Sequence, residues 1–598
     1  MSDRHLPTLT KRQFVKGIAA ATTMASTGFF SSISWAKVNP DELTGTEFHI
    51  KITEEPVNYT GKKRIGTVAN GTIPGPVLKF KEDDDITIYV TNHLKEMTTI
   101  HWHGIILDYQ MDGVPGISFP GIQPGETFVH RFHVKQSGTY WYHAHTLAEQ
   151  TGLYGALVIE PREIPEIERV DRDYPVVLSD WTDEEPIDVF LNLKKMGSYY
   201  NYNQPTVGDF IKDIKLMGLG KAISKREIWN RTRMGPADFS DVSAATYTYL
   251  MNGRSPTGNW QGIAKAGERV RLRFICASTA TFFDVRIPGL KLTVISTDGQ
   301  PVRPVEVDEF RLGPGETYDV IVEIPDDRAY TVFAQSMDRS GYARGTLSPK
   351  PGMEAEVPAL DAPVLLDPML DMMGDMGAMK MGDKKTGSMD MGGKKTGSMD
   401  MGGMKMGNMD MGGMKMADKK PDYLTRKPNH ARTEYGPAVD MRVDAPRTNL
   451  DDPGPGLRHN GRRTLTYADL KSVHPPTDKR MPSREIELHL TGNMERFIWS
   501  LDGLKLNEAK PMHFPIGERI RVIFHNDTSM AHPMHLHGMW SDLESPDGGF
   551  QVRKHTIAVQ PAQRVSMLVT VDAEGHWAFH CHLLYHMAAG MFREVVVA

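Results

Sequence analysis

The run His580-Cys581-His582-Leu583-Leu584-Tyr585-His586-Met587-Ala588-Ala589-Gly590-Met591 decides how this chain is read. Side chains alternate faces along a strand, so Cys581 points one way and its two flanking histidines the other. One short strand then offers ligands to two metal centres at once. A thiolate (Cys581), an imidazole (His586) and a weak thioether (Met591) are the ligand types of a blue-copper electron-transfer site, which needs one more histidine.

That histidine is available in His532-Pro533-Met534-His535-Leu536-His537-Gly538. With His532 assigned to the cysteine set, His535 and His537 remain as a second His-x-His pair. Two further pairs stand at His101-Trp102-His103 and His143-Ala144-His145. With 23 histidines in the chain, random placement gives about one such pair. The chain has four. A single pair is more often an ordinary strand feature than a metal site, but four pairs with a cysteine inside one of them form a ligand constellation.

Three segments of the chain repeat one pattern. Lys81-Glu82-Asp83-Asp84-Asp85-Ile86-Thr87-Ile88-Tyr89-Val90 matches the stretches Gly267 to Phe274 and Gly517 to Phe524. Each is a polar turn followed by apolar residues at every second position, the pattern of a half-buried strand. A second set follows in Pro124-Gly125-Glu126-Thr127, Pro314-Gly315-Glu316-Thr317 and Pro561-Ala562-Gln563-Arg564. A third aligns Gly138 to His145 with Gly575 to His582, while the middle copy, Arg328 to Ser336, has no histidine. The first and third copies therefore supply the ligands, the cluster lies between them, and the middle copy is expected to act as a spacer. Short alternating strands with Gly/Pro turns predict Greek-key β-sandwiches.

In order and spacing, these motifs resemble those of multicopper oxidases across nearly the whole chain. The resemblance implies an all-β fold of three cupredoxin-like Greek-key β-sandwich domains, at residues 45–165, 170–348 and 431–598. It also implies four copper ions. His532, Cys581, His586 and Met591 match the ligands of the type 1 copper, and His101 and His535 those of the type 2 copper. His103, His143, His145, His537, His580 and His582 match the type 3 pair. Asp112, in Asp112-Gly113-Val114-Pro115, matches a carboxylate near the cluster in related enzymes, a possible proton relay; a turn aspartate before glycine is an equal reading. Some relatives carry a carboxylate directly after the position of His586, where this chain has Met587. Met530 matches a methionine that meets substrate copper in a related cuprous oxidase; the neighbouring carboxylate position is Thr528, with Asp527 beside it.

Between Met369 and Met416 lie 16 of the 36 methionines, partly in a ten-residue repeat. The other residues there are mainly Gly, Lys and Asp, so residues 349–430 are expected to form a disordered Met-rich linker between the second and third domains. Thioethers select Cu(I). Met389, Met391, Met399, Met401, Met404, Met406, Met409, Met411, Met414 and Met416 are accordingly candidates for collecting additional Cu(I). The tract resembles that of the copper-resistance oxidases, which are periplasmic.

Other features bound the answer. The net charge of −6 does not suggest a nucleic-acid partner. Of two cysteines, Cys276 lies in an apolar strand-like run and is expected to pack the core without a disulfide. Thr10-Lys11-Arg12-Gln13-Phe14-Val15-Lys16 resembles a twin-arginine export signal with Lys11 in place of the first arginine. Ser34-Trp35-Ala36 offers a cleavage site, making residues 1–36 the signal. No later stretch predicts a membrane span. The expectation is a periplasmic, monomeric oxidase turning Cu(I) into Cu(II) with four-electron reduction of O2 to water, with other periplasmic or outer-membrane copper-resistance proteins as possible partners. Laccase-like oxidation of small phenolic or catechol reductants, and copper sequestration by the Met-rich tract, are the alternatives.

Overall fold

A computed structural model describes residues 40–232, 234–374 and 421–598. Strands form three successive pairs of sheets: five and four strands between Glu42 and Glu160, six and five between Arg172 and Ser348, and six and five between Arg484 and Val597. The internal repeat is a structural one. Asp85–Asn92, Arg269–Cys276 and Arg519–Asn526 hold the same place in their sheets. Each pairs parallel with the first long strand of its sandwich and antiparallel with the strand that follows the Pro-led turn.

Half-burial is found only in the first copy, where every second side chain of Asp85–Asn92 is buried. The other two copies are buried on both faces, their charged residues included. Arg271 pairs with Asp319 and Glu168, and Arg273 with Asp173 and with Thr139 of the first sandwich. Arg519 and Arg521 pair with Asp542 and Glu544, each at 2.8 Å. An alternating strand can be covered on its polar face because each guanidinium meets a carboxylate; unpaired, such a buried charge costs several kcal/mol, on the order of 3–5.

The sandwiches share core. One apolar cluster runs through the second and third, and another, with Val57, Trp141, Trp181, Leu250 and Ile275, joins the first to the second. The aligned glycines Gly138 and Gly575 both have left-handed φ, +125° and +133°. A Cβ on Gly138 would stand 2.5 Å from the Gly299 backbone, and one on Gly575 would stand 2.4 Å from the Tyr109 ring. Conformation and close interdomain approach both require glycine there.

Three helices, Pro186–Lys195, Val207–Met217 and Leu219–Thr232, interrupt the second sandwich. The repeat reading gave no sign of them, although Thr206 and Asp209 form a capping box and Gly218 ends the middle helix. Part of the expected linker is ordered: Pro368–Asp371 is helical, Met372 is buried, and Asp371 pairs with Arg458 at 2.7 Å. Residues 375–420, with all ten tract methionines named above, and the expected signal at 1–36 lie outside the described residues. Residues 421–483 run as a mostly irregular strap over the second and third sandwiches, with Leu465 bonded to Glu309 and Arg447 to Ala562.

Candidate metal centre

Register brings the ligand motifs together. In the third sandwich, strand His532–Leu536 pairs with Gly575–Cys581, setting Met534 opposite Cys581 and His535 opposite His580. In the first, His101–His103 pairs with Gly138–His143, setting His101 opposite His143. Both strand pairs bring their histidines into the seam between these two sandwiches.

On one face of the Cys581 strand, three donor atoms form a triangle. Cys581 Sγ lies 3.6 Å from His532 Nδ1 and 3.8 Å from His586 Nδ1, and the two nitrogens are 3.1 Å apart. Ligands about 2.0–2.3 Å from one ion stand at such separations. Met591 is fully buried, and its carbonyl accepts from the Cys581 N–H. Trp499 stacks on His586 at 3.9 Å between ring centroids. Burial pushes the Cys581 thiol up, because the thiolate has lost its water and the protein supplies no compensating charge.

On the other face the remaining eight expected ligands, all buried, crowd together. His580 Nε2 lies 3.0 Å from His537 Nε2 and 3.2 Å from His145 Nε2. The His103 ring is 4.8 Å from His582 and 3.9 Å from His535, and His143 is 5.1 Å from His582. His101 stands 5.8 Å from His535. His580 is pushed down to about 4 by burial. Burial, with neighbouring imidazoles, also holds His103, His143, His145, His535, His537 and His582 well below the usual histidine range. These are neutral imidazoles with lone pairs available. His101 Nε2, His103 Nδ1, His143 Nε2, His145 Nδ1, His535 Nε2 and both His582 nitrogens are buried without a hydrogen-bond partner. Such orphaned nitrogens, converging beside a thiol, fit bound copper.

Around these ligands stands a shell of acceptors. Asp112 is buried; its carbonyl meets His101 Nδ1 at 2.7 Å and its carboxylate meets His537 Nδ1 at 2.9 Å. Asp112 thus touches imidazoles of both sandwiches and fixes their ring orientation. Glu149, which the sequence reading missed, meets His143 Nδ1 at 3.0 Å and is pushed well up by burial and by Asp180. His555, also missed, is buried 4.7 Å from the His103 ring, and its carbonyl accepts from His535 Nδ1 at 2.7 Å. Neither residue sits in a His-x-His pattern, so spacing gave no signal for them.

The middle sandwich does more than space the other two. Its Gly315, at φ +87°, comes so near the cluster that a Cβ would stand 3.0 Å from His582 and 3.2 Å from His103. Its Asp241 places a carboxylate oxygen 2.8 Å from His586 Nε2, although neither carboxylate oxygen makes a directed hydrogen bond. Thr528 Oγ1 lies 2.7 Å from His532 Nε2. Met530 is buried beside it, and Met234 Sδ approaches Ser529 Oγ at 2.8 Å. Asp527 is directed away, its carboxylate meeting His489 at 2.6 Å. Cys276 is buried in the second-sandwich core. Among the described residues no helix is long and apolar enough to cross a membrane.

Comparison with known proteins gives the same picture. Family profiles described as multicopper oxidase match residues 51–164, 223–351 and 479–598. The chain is 53% identical to a copper resistance protein A homolog from Pseudomonas syringae pv. tomato, covering 99% of this chain and all of that one. It is 51% identical to copper resistance protein A from Escherichia coli, covering 98% and 99%. In fold it is similar to a laccase from Botrytis aclada, with TM-score 0.58 at 20% identity over 96% and 91% of the two chains. A multi-copper oxidase from Pseudomonas Thermotolerans gives TM-score 0.56 at 19% identity over 93% and 100%.

Proposed function

Because this chain belongs to the multicopper oxidase family, we propose a particular reaction for it and a particular division of its ligands. It is a copper-dependent oxidoreductase of copper resistance that uses oxygen. The reaction proposed is oxidation of Cu(I) to Cu(II), coupled to reduction of O2 to water. The observation that carries it is Asp241: a buried carboxylate with no directed hydrogen bond, beside the outward nitrogen of His586. A buried anion of that kind wants a cation. The thioethers of Met530 and Met234, in the same loops, suit a soft monovalent one.

His532, Cys581, His586 and Met591 would hold the type 1 ion, His101 and His535 the type 2 ion. His145, His537 and His580 would hold one type 3 ion, and His103, His143 and His582 the other. Bound there, copper supplies one-electron acceptance from the reductant and four-electron delivery to oxygen. The protein supplies the rest. Cys581 is covalently continuous with His580 and His582, so a single strand joins the two clusters. Burial keeps water from both, and Asp112 and Glu149 hold protons or acceptors at the rings they touch.

The domain limits proposed are those read from the sequence, 45–165, 170–348 and 431–598, with the strap beginning in the linker and its residues 431–483 counted in the third domain. The Met-rich tract is assigned to Cu(I) collection, and the protein to the periplasm, on the export-like residues 10–16 and the copper-resistance relatives. Oxygen uptake with Cu(I) and with a neutral phenol as alternative sole reductants tests the reaction. A kcat/KM for Cu(I) at least tenfold the higher supports it, and the reverse order makes the enzyme laccase-like.

A further inference from the structure

A second constellation of histidines lies outside the copper centres, where the strap crosses the third sandwich. His430 and Glu434 come from the strap, His489 from strand Arg484–Asn493, and Asp527 from the turn after strand Arg519–Asn526. Four atoms form a closed ring of alternating nitrogen and oxygen. His430 Nδ1 is 2.7 Å from Glu434 Oε2, which is 3.3 Å from His489 Nδ1. That nitrogen is 2.6 Å from Asp527 Oδ2, which is 3.7 Å from His430 Nδ1. All four side chains are at least 95% buried. Yet Glu434 and His489 also line a cleft with Arg426, Glu485, Glu487 and Asp502.

The carboxylates are positioned from behind. Glu434 Oε1 accepts from the Ala431 N–H at 2.7 Å, and Asp527 Oδ1 from the Val443 N–H at 2.7 Å. The second oxygen of each is thereby turned into the ring. Asp502 accepts from the His489 N–H, and Arg426 is occupied by Glu485 and Glu487. Without an ion, each imidazole donates its Nδ1–H to a carboxylate, which leaves the Nε2 of both His430 and His489 buried without a partner. A divalent ion at the centre would use both Nδ1 lone pairs and balance both carboxylates. Neighbouring ligands about 2.0–2.2 Å from one ion stand about 2.8–3.1 Å apart in a square plane and about 3.3–3.6 Å in a tetrahedron, against the 2.6–3.7 Å observed around the ring.

We propose that His430, Glu434, His489 and Asp527 form an additional divalent-cation site, and that its physiological ion is Cu(II). Imidazole combined with two carboxylates favours Cu(II) over Cu(I), and among first-row divalent ions Cu(II) binds such a set most tightly. The site adjoins the electron-entry loop: the residue after Asp527 is Thr528, whose hydroxyl touches His532 Nε2. The choice of Cu(II) rests on the proposed oxidation, because that ion is its product; the existence of the site does not.

The experiment is a Cu(II) titration of the full chain, already loaded with its oxidase coppers and stripped of loosely held metal. Wild type should take up one more equivalent than Glu434→Gln or His489→Gln, with blue absorption retained in all three. Pulsed EPR of the added ion in wild type should show two coordinated imidazole nitrogens, a readout that needs no variant. Equal uptake by wild type and a blue, folded variant would overturn the site, as would an added ion without two imidazoles. Failure of Cu(I)-driven oxygen uptake would overturn the proposed reaction while leaving this titration unchanged.

Discussion

Asp241 of the second sandwich lies 2.8 Å from Nε2 of His586 in the third. It sets a carboxylate from the middle sandwich on the outer edge of the imidazole through which electrons are proposed to enter. In Asp241→Asn, kcat/KM for Cu(I) should fall about tenfold, equivalent to ~1.4 kcal/mol, while a neutral phenol should be oxidised within about twofold of wild type. Steady-state rates with the two reductants make the comparison. An equal loss with both would mean that Asp241 serves the ligand ring and not the cation.

Asp112 touches His101 and His537 at once. Asp112→Asn keeps the shape and removes the proton-carrying group. Oxygen reduction should slow by about 10²-fold, the lower range for positioned acid–base groups, with copper content unchanged by elemental analysis. Reoxidation of the fully reduced enzyme, followed by stopped flow, isolates this step.

Gly315 is a test of the middle domain's contact with the cluster. Gly315→Ala adds a methyl 3.0 Å from His582 at a left-handed backbone position, where strain costs about 1–3 kcal/mol. The variant should melt lower and lose copper from the cluster while retaining blue absorption.

The buried imidazoles set a pH dependence for the copper-free protein. His580 and His555 are both held down to about 4 by burial, against 6.5 for a free histidine. Between these values the unfolded chain binds protons that the folded chain does not, so stability rises with pH in this window and levels off above it. At pH 5 each such histidine costs about 2 kcal/mol. The melting temperature of copper-free protein should therefore fall steeply from pH 7 to pH 5, and copper loading should oppose the fall.

Much of this was legible in the sequence because strand ligands obey a period of two. His-x-His and His-Cys-His put their imidazoles on one face in any register, so the ligand motifs could be placed without knowing the sheets. The repeat was readable for the same reason, since Ile86, Ile88 and Val90 recur as Val270, Leu272 and Phe274. Asp241, Glu149, His430 and His489 were not readable. Each becomes significant only through contacts with residues distant in the chain, and none carries a local spacing signal. Burial of the charged face of Arg269–Cys276 was hidden likewise, because the strand pattern does not reveal that Thr139 of another domain covers it.

In the proposed reaction, electrons enter at the Cys581 site and cross one strand to the histidine cluster. Oxygen uptake by the copper-loaded protein, with Cu(I) as sole reductant and Cys581→Ser as the comparison, tests it most directly. Uptake should be rapid in the wild type and abolished in Cys581→Ser while the histidine cluster keeps its copper. Undiminished uptake in the variant would contradict it.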